Sequence, residues 1–145
     1  MKTVIFDIDG TLADDSHRLH FVESKPKDYK QYNDLMHMDT VKPEVKALLE
    51  QYHKVGYVVK LITGRWERHR DVTEKWLFEN GIFHDGLTMR QDEDFRCGTI
   101  VKREELNKLR QEGHNVVAAF EDRNKLINMF REEGVTCFAV ENRSQ

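Results

Sequence analysis

The sequence has few of the features that would anchor a small chain by covalent bonds or in a membrane. Of its 145 residues only two are cysteines, Cys97 and Cys137. Two cysteines form no disulfide framework, so a reducing compartment is indicated and we expect a cytoplasmic location. No apolar run approaches the roughly 18 residues of a transmembrane helix, so we expect no membrane partner.

An excess of basic residues is also missing. The chain has 23 Lys and Arg against 26 Asp and Glu, a formal net charge of −3, which argues against a protein that coats polyanions without specificity. Flexible Gly/Ser linkers, repeats and low-complexity runs are absent, and only two prolines occur. With 39% apolar and 34% charged residues, the sequence predicts one folded domain over residues 1–145.

Short β-type runs alternate with helical patterns along most of the chain. The predicted strands are 3–6, 57–62, 87–89, 116–120 and 136–140. The predicted helices are 43–55, 67–79, 100–111 and 124–133, and a polar tail follows at 141–145. Such alternation predicts an α/β fold, a doubly wound and mostly parallel sheet with helices on both faces. Ligands of these sheets bind beyond the carboxyl ends of the strands.

Residues 13–41 interrupt this alternation with a polar, aromatic-rich and weakly patterned stretch. It reads either as a long surface connection or as a small cap inserted after the first strand, and we favour the cap. Its aromatic residues Phe21, Tyr29 and Tyr32 suit stacking on bases or packing of the cap onto the domain.

The sharpest signal is the run Asp7-Ile8-Asp9-Gly10-Thr11-Leu12 directly after the first strand. Residues i and i+2 of a regular strand point to the same face, and two unpaired carboxylates there repel each other. A divalent cation would relieve the repulsion, and oxygen ligands suit Mg²⁺. The alternative is a structural turn, because Asp-Gly is common in turns.

This run resembles the first motif, Asp-x-Asp-x-Thr, of the haloacid dehalogenase (HAD) superfamily of phosphohydrolases. Three further matches follow in the family's order: Thr63-Gly64-Arg65 after a strand, Lys102 near the start of a helix, and Glu121-Asp122 after another strand. The resemblance covers nearly the whole chain and implies a HAD-like fold.

A narrower resemblance is to the 3′-phosphatase domain of phage-type polynucleotide kinase-phosphatase. It rests on Arg18 nine residues after Asp9, on Arg65, and on the run 121–137. Glu121 departs from the pattern, since that domain has an aspartate there. The sequence contains no Gly-x-x-x-x-Gly-Lys-Ser/Thr motif, so no kinase half is indicated.

The resemblance implies a division of labour among the motif residues. Asp7 would be the nucleophile that forms an aspartyl-phosphate, and Asp9 would act as general acid and then as general base. Thr63 would donate a hydrogen bond to the phosphoryl group, and Lys102 would neutralise negative charge.

The resemblance also implies a set of binding residues. Mg²⁺ would be held by the Asp7 carboxylate, the Asp9 backbone carbonyl and Asp122, with Glu121 in contact through water. Arg18, Arg65 and the Thr63-Gly64 turn would bind the substrate phosphate or backbone. From the residues alone, either arginine could equally be a surface cation.

The predicted function is therefore a Mg²⁺-dependent phosphomonoesterase that removes 3′-phosphates from DNA or RNA ends. The alternatives are a nucleotidase or small-molecule phosphatase and, less favoured, a phospho-acceptor signalling domain. The implied partners are a phosphorylated nucleic acid end or nucleotide and a separate kinase or ligase. Trp66 could line the cleft, and the charged segment 90–96 either is a solvated loop or borders the site.

Overall fold

The computed structural model describes residues 1–141, in which seven strands and six α-helices follow one another with three short 3-10 helices. The strands are β1 Lys2–Phe6, β2 Ala13–Asp14, β3 Thr40–Val41, β4 Val58–Trp66, β5 Gly86–Arg90, β6 Asn115–Glu121 and β7 Thr136–Ala139. The α-helices are α1 His20–Glu23, α2 Tyr29–Asp34, α3 Pro43–Lys54, α4 Arg70–Glu79, α5 Gly98–Gln111 and α6 Asn124–Glu132. The 3-10 helices are Ser16–Arg18, Met36–Met38 and Glu67–His69.

Five strands form one parallel sheet in the order β5-β4-β1-β6-β7. β1 lies at its centre, with Phe6 opposite Leu61 of β4 on one side and Phe120 of β6 on the other. The carboxyl ends of β1, β4 and β6 therefore meet at one edge of the sheet. The predicted doubly wound parallel sheet is confirmed.

Two apolar layers cover the two faces of this sheet. Because side chains alternate along a strand, Val4 and Phe6 of β1 enter one layer while Ile5 enters the other. Helices α3 and α4 contribute Leu49 and Trp76 to the first layer. Helices α5 and α6 supply the second layer. The central strand is therefore buried on both faces, which fixes the position of the residues that follow it.

Residues 13–41 leave the sheet and return to it through a two-stranded antiparallel ribbon. In this ribbon of β2 and β3, Ala13 pairs with Val41 and Asp14 pairs with Thr40. The ends of the ribbon coincide with the predicted limits of the inserted segment. Between them lie two 3-10 helices and the short helices α1 and α2.

The predicted elements of the sheet are all present, with shifted ends. The strand predicted at 57–62 continues to Trp66, so that Thr63-Gly64-Arg65 lies within β4. The helix predicted from residue 67 begins with a 3-10 turn and becomes α-helical at Arg70. Residues 142–145 of the predicted tail lie outside the described residues. Among residues 1–141, no helix has the length and apolar character needed to cross a membrane.

Candidate active site

The first motif begins where β1 ends at the centre of the sheet. The Asp7 amide still donates to the carbonyl of Phe120 at 3.1 Å, which places Asp7 beside the end of β6. The chain then turns at Gly10, whose φ of +79° favours glycine. A Cβ atom at Gly10 would overlap the Asp122 carboxylate. Glycine is therefore required both by the turn and by the approach of Asp122.

Asp7, Lys102, Glu121 and Asp122 form what we call the Asp7 cluster, and all four are buried. Lys102 Nζ lies 2.9 Å from Asp7 Oδ1 and 2.7 Å from Glu121 Oε2. Carboxylate oxygens of Asp7, Glu121 and Asp122 lie within 4.8 Å of one another. Asp7 and Glu121 thus share one ammonium group at the carboxyl edge of the sheet, and Asp122 lies beside them.

This arrangement raises the pKa values of Asp7 and Asp122, whereas Lys102 holds the pKa of Glu121 below its ordinary value against the effect of burial. Burial, and then the charge of Glu121, raises the pKa of Asp7 to about 7 against the opposing effect of Lys102. Burial and the charge of Asp7 raise the pKa of Asp122 to about 10. Burial alone would lower the pKa of Lys102, but the charges of Asp7 and Glu121 outweigh it and raise that pKa. When all three acids are ionised, the cluster has more negative charge than Lys102 neutralises.

The donor set of the Asp7 cluster fits a divalent cation. Clustered carboxylate oxygens are the ligands that hard cations such as Mg²⁺ prefer, and a cation among them would offset the burial and the repulsion that raise the pKa values of Asp7 and Asp122. Glu121 belongs to this oxygen group and is at the same time the ion-pair partner of Lys102.

The Asp9 carboxylate has different partners, although only one residue separates it from Asp7. Arg65 Nη2 and Arg18 Nη2 each donate to Asp9 Oδ1 at 2.7 Å, and Arg65 Nε donates at 3.1 Å. Burial would raise the pKa of Asp9, but Arg65 and Arg18 hold it well below its usual value. The regular-strand geometry from which the sequence analysis placed both carboxylates on one face does not apply here, because the strand ends at Phe6 and a turn follows.

Asp39, which the sequence analysis missed, completes a second group of residues. It lies just before β3, and its fully buried carboxylate accepts from Arg18 Nε at 2.8 Å and from Arg18 Nη2 at 2.6 Å. Arg65 Nη2 lies 3.5 Å away. We call Asp9, Arg18, Asp39 and Arg65 the Asp9 cluster, in which two acids balance two guanidinium groups.

Other contacts fix Asp39 and Arg18 in place. His17 Nε2 lies 2.7 Å from Asp39 Oδ1, and the Trp76 indole donates to the Asp39 carbonyl at 2.8 Å. The Tyr32 ring lies 4.1 Å from the Arg18 guanidinium, and its hydroxyl donates to Asp15 at 2.7 Å. Tyr32, a predicted stacking candidate, thus packs within the segment 13–41.

The remaining predicted site residues lie along β4. Thr63 is buried, and its hydroxyl accepts from the Arg65 amide at 3.1 Å. Gly64 is exposed, with open space where a Cβ would point. Arg18 and Arg65, both buried, bind Asp9 in this structure, and their contact with a phosphate stays a prediction.

Two further residues that the sequence analysis left out support the motif itself. The Thr11 hydroxyl donates to Asp7 Oδ2 at 3.2 Å. Lys42 Nζ donates to the Gly10 carbonyl at 2.7 Å and so ties the start of α3 to the turn. Thr11 could have been identified from its position in the Asp-x-Asp-x-Thr motif. No local pattern indicated Lys42, which is 32 residues from Gly10 in sequence.

Solved structures share this architecture. The chain is 30% identical to a chain of the Pnkp1/Rnl/Hen1 RNA repair complex, with a TM-score of 0.82. The match covers 99% of this chain and 43% of that one. A class C acid phosphatase from Bacillus anthracis with bound tungstate is similar in fold, with a TM-score of 0.70 and 16% identity over 99% of this chain and 68% of that one.

A curated relative is acid phosphatase 1 from Solanum lycopersicum, 40% identical over 73 residues, which are 48% of this chain and 28% of the relative. This chain thus spans less than half the length of that relative and of the RNA repair protein. The family model for the polynucleotide kinase PNKP phosphatase domain matches residues 1–144.

A parallel α/β sheet with the four motifs at its carboxyl edge, together with the family match, places the chain in the HAD superfamily of phosphohydrolases. Within that class, the chain belongs to the family of the polynucleotide kinase PNKP phosphatase domain.

Proposed function

We propose that this phosphatase hydrolyses 3′-phosphate monoesters at polynucleotide ends in a Mg²⁺-dependent reaction, through an aspartyl-phosphate on Asp7. The observation that carries the proposal is the buried Asp7 carboxylate at the end of β1. One of its oxygens lies 2.9 Å from Lys102 Nζ, and the carboxylates of Glu121 and Asp122 lie beside it. A carboxylate fixed in this way is oriented for attack, and Lys102 limits its repulsion of an anionic substrate.

In the first step, an Asp7 oxygen forms a bond to phosphorus while the bond from phosphorus to the sugar oxygen breaks. Asp9 gives a proton to the departing sugar oxygen. Thr63 accepts a hydrogen bond from the Arg65 amide, so its own hydroxyl hydrogen can be donated to a phosphoryl oxygen. Lys102 stabilises the negative charge that passes through the transferring group.

In the second step, Asp9 removes a proton from water, whose oxygen attacks phosphorus. The bond between phosphorus and Asp7 breaks, which regenerates the Asp7 carboxylate and releases inorganic phosphate. Mg²⁺ held by the carboxylates of Asp7 and Asp122 and by the Asp9 carbonyl, with Glu121 in contact through water, would supply positive charge opposite the phosphate.

The Asp9 cluster places a condition on this scheme. A carboxylate held by two guanidinium groups stays ionised and has no proton to give. If Arg18 or Arg65 turns toward the phosphate when substrate binds, the pKa of Asp9 rises and Asp9 can be protonated. In our proposal, therefore, an arginine contacts the phosphate and Asp9 becomes able to take up its proton at the same time.

The polynucleotide substrate is supported by the family match and by the 30% identity to a protein of an RNA repair complex. We propose that residues 1–145 act as one domain in which residues 13–41 form a cap, and that a separate kinase or ligase is a functional partner. The partial match to an acid phosphatase supports a second candidate, a phosphatase of mononucleotides or other small esters.

The test is a phosphate-release assay with an oligonucleotide 3′-phosphate, an oligonucleotide 5′-phosphate, mononucleotides and glycerol 2-phosphate, each with Mg²⁺ or EDTA. We expect kcat/KM for the 3′-phosphorylated oligonucleotide to exceed the other values by at least about a hundredfold, or about 2.7 kcal/mol. We expect Asp7→Asn to lose more than about a thousandfold in activity.

The matched control is Asp71→Asn, which makes the same change at an exposed carboxylate in the first turn of α4 and should retain native activity. Equal phosphate release by Asp7→Asn and the native protein would contradict the nucleophile. Equal kcat/KM for all esters would favour the small-ester phosphatase. Slow, stoichiometric release would favour the phospho-acceptor domain.

A further inference from the structure

We propose that Trp66, Arg68 and Phe95 form a stacking surface for a nucleobase near the 3′-phosphate of the substrate. We call these three residues the aromatic platform. The inference rests on the proposed polynucleotide substrate and deepens it, because it assigns residues that hold a base rather than the phosphate.

The platform lies on two segments that also carry site residues. Trp66 ends β4, directly after Arg65 and three residues after Thr63, which is about 10 Å along an extended strand. Phe95 lies in the loop between β5 and α5, the helix that carries Lys102. Both segments start from the carboxyl edge of the sheet, so the platform borders the side of the site formed by β4 and β5.

The contacts within the platform leave one aromatic ring open to solvent. The Trp66 and Phe95 rings meet edge to face, with centroids 5.2 Å apart and planes at 72°. The Arg68 guanidinium lies 4.9 Å from the Trp66 ring. Phe95 is nevertheless 79% exposed, whereas the core phenylalanines Phe6 and Phe130 are fully buried. Packing of the loop against Trp66 therefore accounts for only a small part of the Phe95 surface.

Polar contacts fix the loop that presents Phe95. The Arg68 amide donates to Asp92 at 2.8 Å. Arg96, the next residue after Phe95, donates to Asp94 at 3.0 Å and to Glu104 of α5 at 2.8 Å. An exposed ring on a loop held at both sides is preorganised for contact, which reduces the entropy lost on binding.

The charges around the platform favour a base over other occupants. Asp92 and Glu93 lie within 4 Å of Arg68, so the guanidinium is balanced by acids and gives no strong attraction for phosphates. A flat and uncharged group suits such a surface. Bases stack on aromatic rings and on guanidinium planes, whatever their sequence, with a contribution of about 1–3 kcal/mol per base. The platform would therefore add affinity for single-stranded ends without a strong dependence on salt.

The test compares Phe95→Ala with the native protein on three substrates: a 3′-phosphorylated oligonucleotide, the same oligonucleotide with an abasic 3′-terminal and penultimate nucleotide, and glycerol 2-phosphate. We expect kcat/KM to fall about tenfold on the normal oligonucleotide, mainly through KM. On the abasic oligonucleotide and on glycerol 2-phosphate we expect no change. Phe95→Trp should restore the native value, because it returns an aromatic face.

Phe78→Ala is the matched control, since Phe78 is 86% exposed but lies near the end of α4, which returns to the amino edge of the sheet. It should leave all three substrates unaffected. An equal effect of Phe95→Ala on all three substrates, or no effect on any, would overturn the platform. Failure of the proposed function would appear separately, as a native protein that does not prefer oligonucleotide to glycerol 2-phosphate, and the platform would fall with it.

Discussion

Asp7 and Asp9 are two residues apart and have opposite electrostatic surroundings. The Asp7 cluster brings three carboxylates together with two of them on one ammonium group, and the pKa of Asp7 is raised by burial and by Glu121. The Asp9 cluster pairs two carboxylates with two guanidinium groups, and Arg65 and Arg18 hold the pKa of Asp9 down against the effect of burial. Charge balance, rather than position in sequence, distinguishes the surroundings of the two carboxylates.

From this difference in charge balance we expect the Asp9 cluster to contribute to stability and the Asp7 cluster to catalysis. The Asp9 cluster is neutral within itself, and it joins the segment 13–41 to the first motif and to β4 through Arg18, Asp39 and Arg65. In the Asp7 cluster, burial and mutual repulsion raise the pKa values of Asp7 and Asp122, so ionising both acids costs stability until a cation binds. Removing one acid should then destabilise the protein in the Asp9 cluster and leave the stability of the metal-free protein nearly unchanged in the Asp7 cluster.

The largest expected effect comes from the same isosteric change made once in each cluster. Asp39→Asn leaves Arg18 buried without its bidentate partner, so we expect the free energy of unfolding to fall by about 3 kcal/mol. Asp122→Asn removes an acid whose pKa is already raised to about 10 by burial and by Asp7, so in EDTA it should change stability by less than about 1 kcal/mol. Urea unfolding at pH 7.5 measures both.

Asp34→Asn provides the control for the change itself, because Asp34 forms an exposed pair with Lys30 on α2. Exposed pairs of this kind contribute little, so its unfolding curve should match that of the native protein. If Asp122→Asn destabilised the metal-free protein as strongly as Asp39→Asn, the two clusters would not differ in charge balance.

A smaller effect is expected from pH and Mg²⁺. The folded pKa values of Asp7, about 7, and Asp122, about 10, lie above the ordinary 3.8, so the metal-free folded state binds more protons than the unfolded chain. Stability in EDTA should therefore fall as pH rises from 4 toward 9. The pKa of Asp9 is lowered, so Asp9 changes stability with pH in the opposite direction. Its contribution to stability is present above pH 4 and is lost below it.

Thermal unfolding across this pH range, with Mg²⁺ or EDTA, measures the difference directly. Because Mg²⁺ favours the ionised acids, it should raise the melting temperature more at pH 8.5 than at pH 5. Asp122→Asn should lose most of this increase. An equal increase at both pH values would show that the acids of the Asp7 cluster are already ionised without the metal.

Much of the fold and part of the site could be predicted from the sequence. Most sheet strands carry an apolar run long enough to identify, and Gly10, Thr63 and Lys102 follow or lie close to the strand and helix ends at the carboxyl edge. The β2–β3 ribbon could not be predicted, because two residues per strand give no periodic pattern.

The Asp9 cluster could not be predicted from the sequence for a different reason. Asp39 lies 30 residues after Asp9 in a polar stretch, and its contact with Arg18 depends on how the segment 13–41 folds back. The divergence of Asp7 and Asp9 depends on the turn that begins after Phe6, where the alternation of a regular strand no longer applies. Local patterns predict elements, whereas these contacts are set by the tertiary fold.

The smallest expected effect concerns Glu121, which stands where the related 3′-phosphatase domain has an aspartate. Its Oε2 lies 2.7 Å from Lys102 Nζ, and the shorter side chain in Glu121→Asp withdraws that oxygen while it keeps the charge. Lys102 keeps Asp7 as its partner at 2.9 Å, so we expect only about a tenfold loss of kcat, or about 1.4 kcal/mol. Single-turnover phosphate release in saturating Mg²⁺ measures it.

Glu132→Asp makes the same change on α6, where the side chain is exposed and lies 3.4 Å from Arg103, and it should retain the native kcat. Glu121→Gln, which keeps the length and removes the charge, should lose more than Glu121→Asp, because the charge of Glu121 helps to keep Lys102 protonated and in place. Equal losses for these two variants would mean that side-chain length matters as much as charge. The Asp7 cluster would then be defined by its geometry rather than by its charge balance.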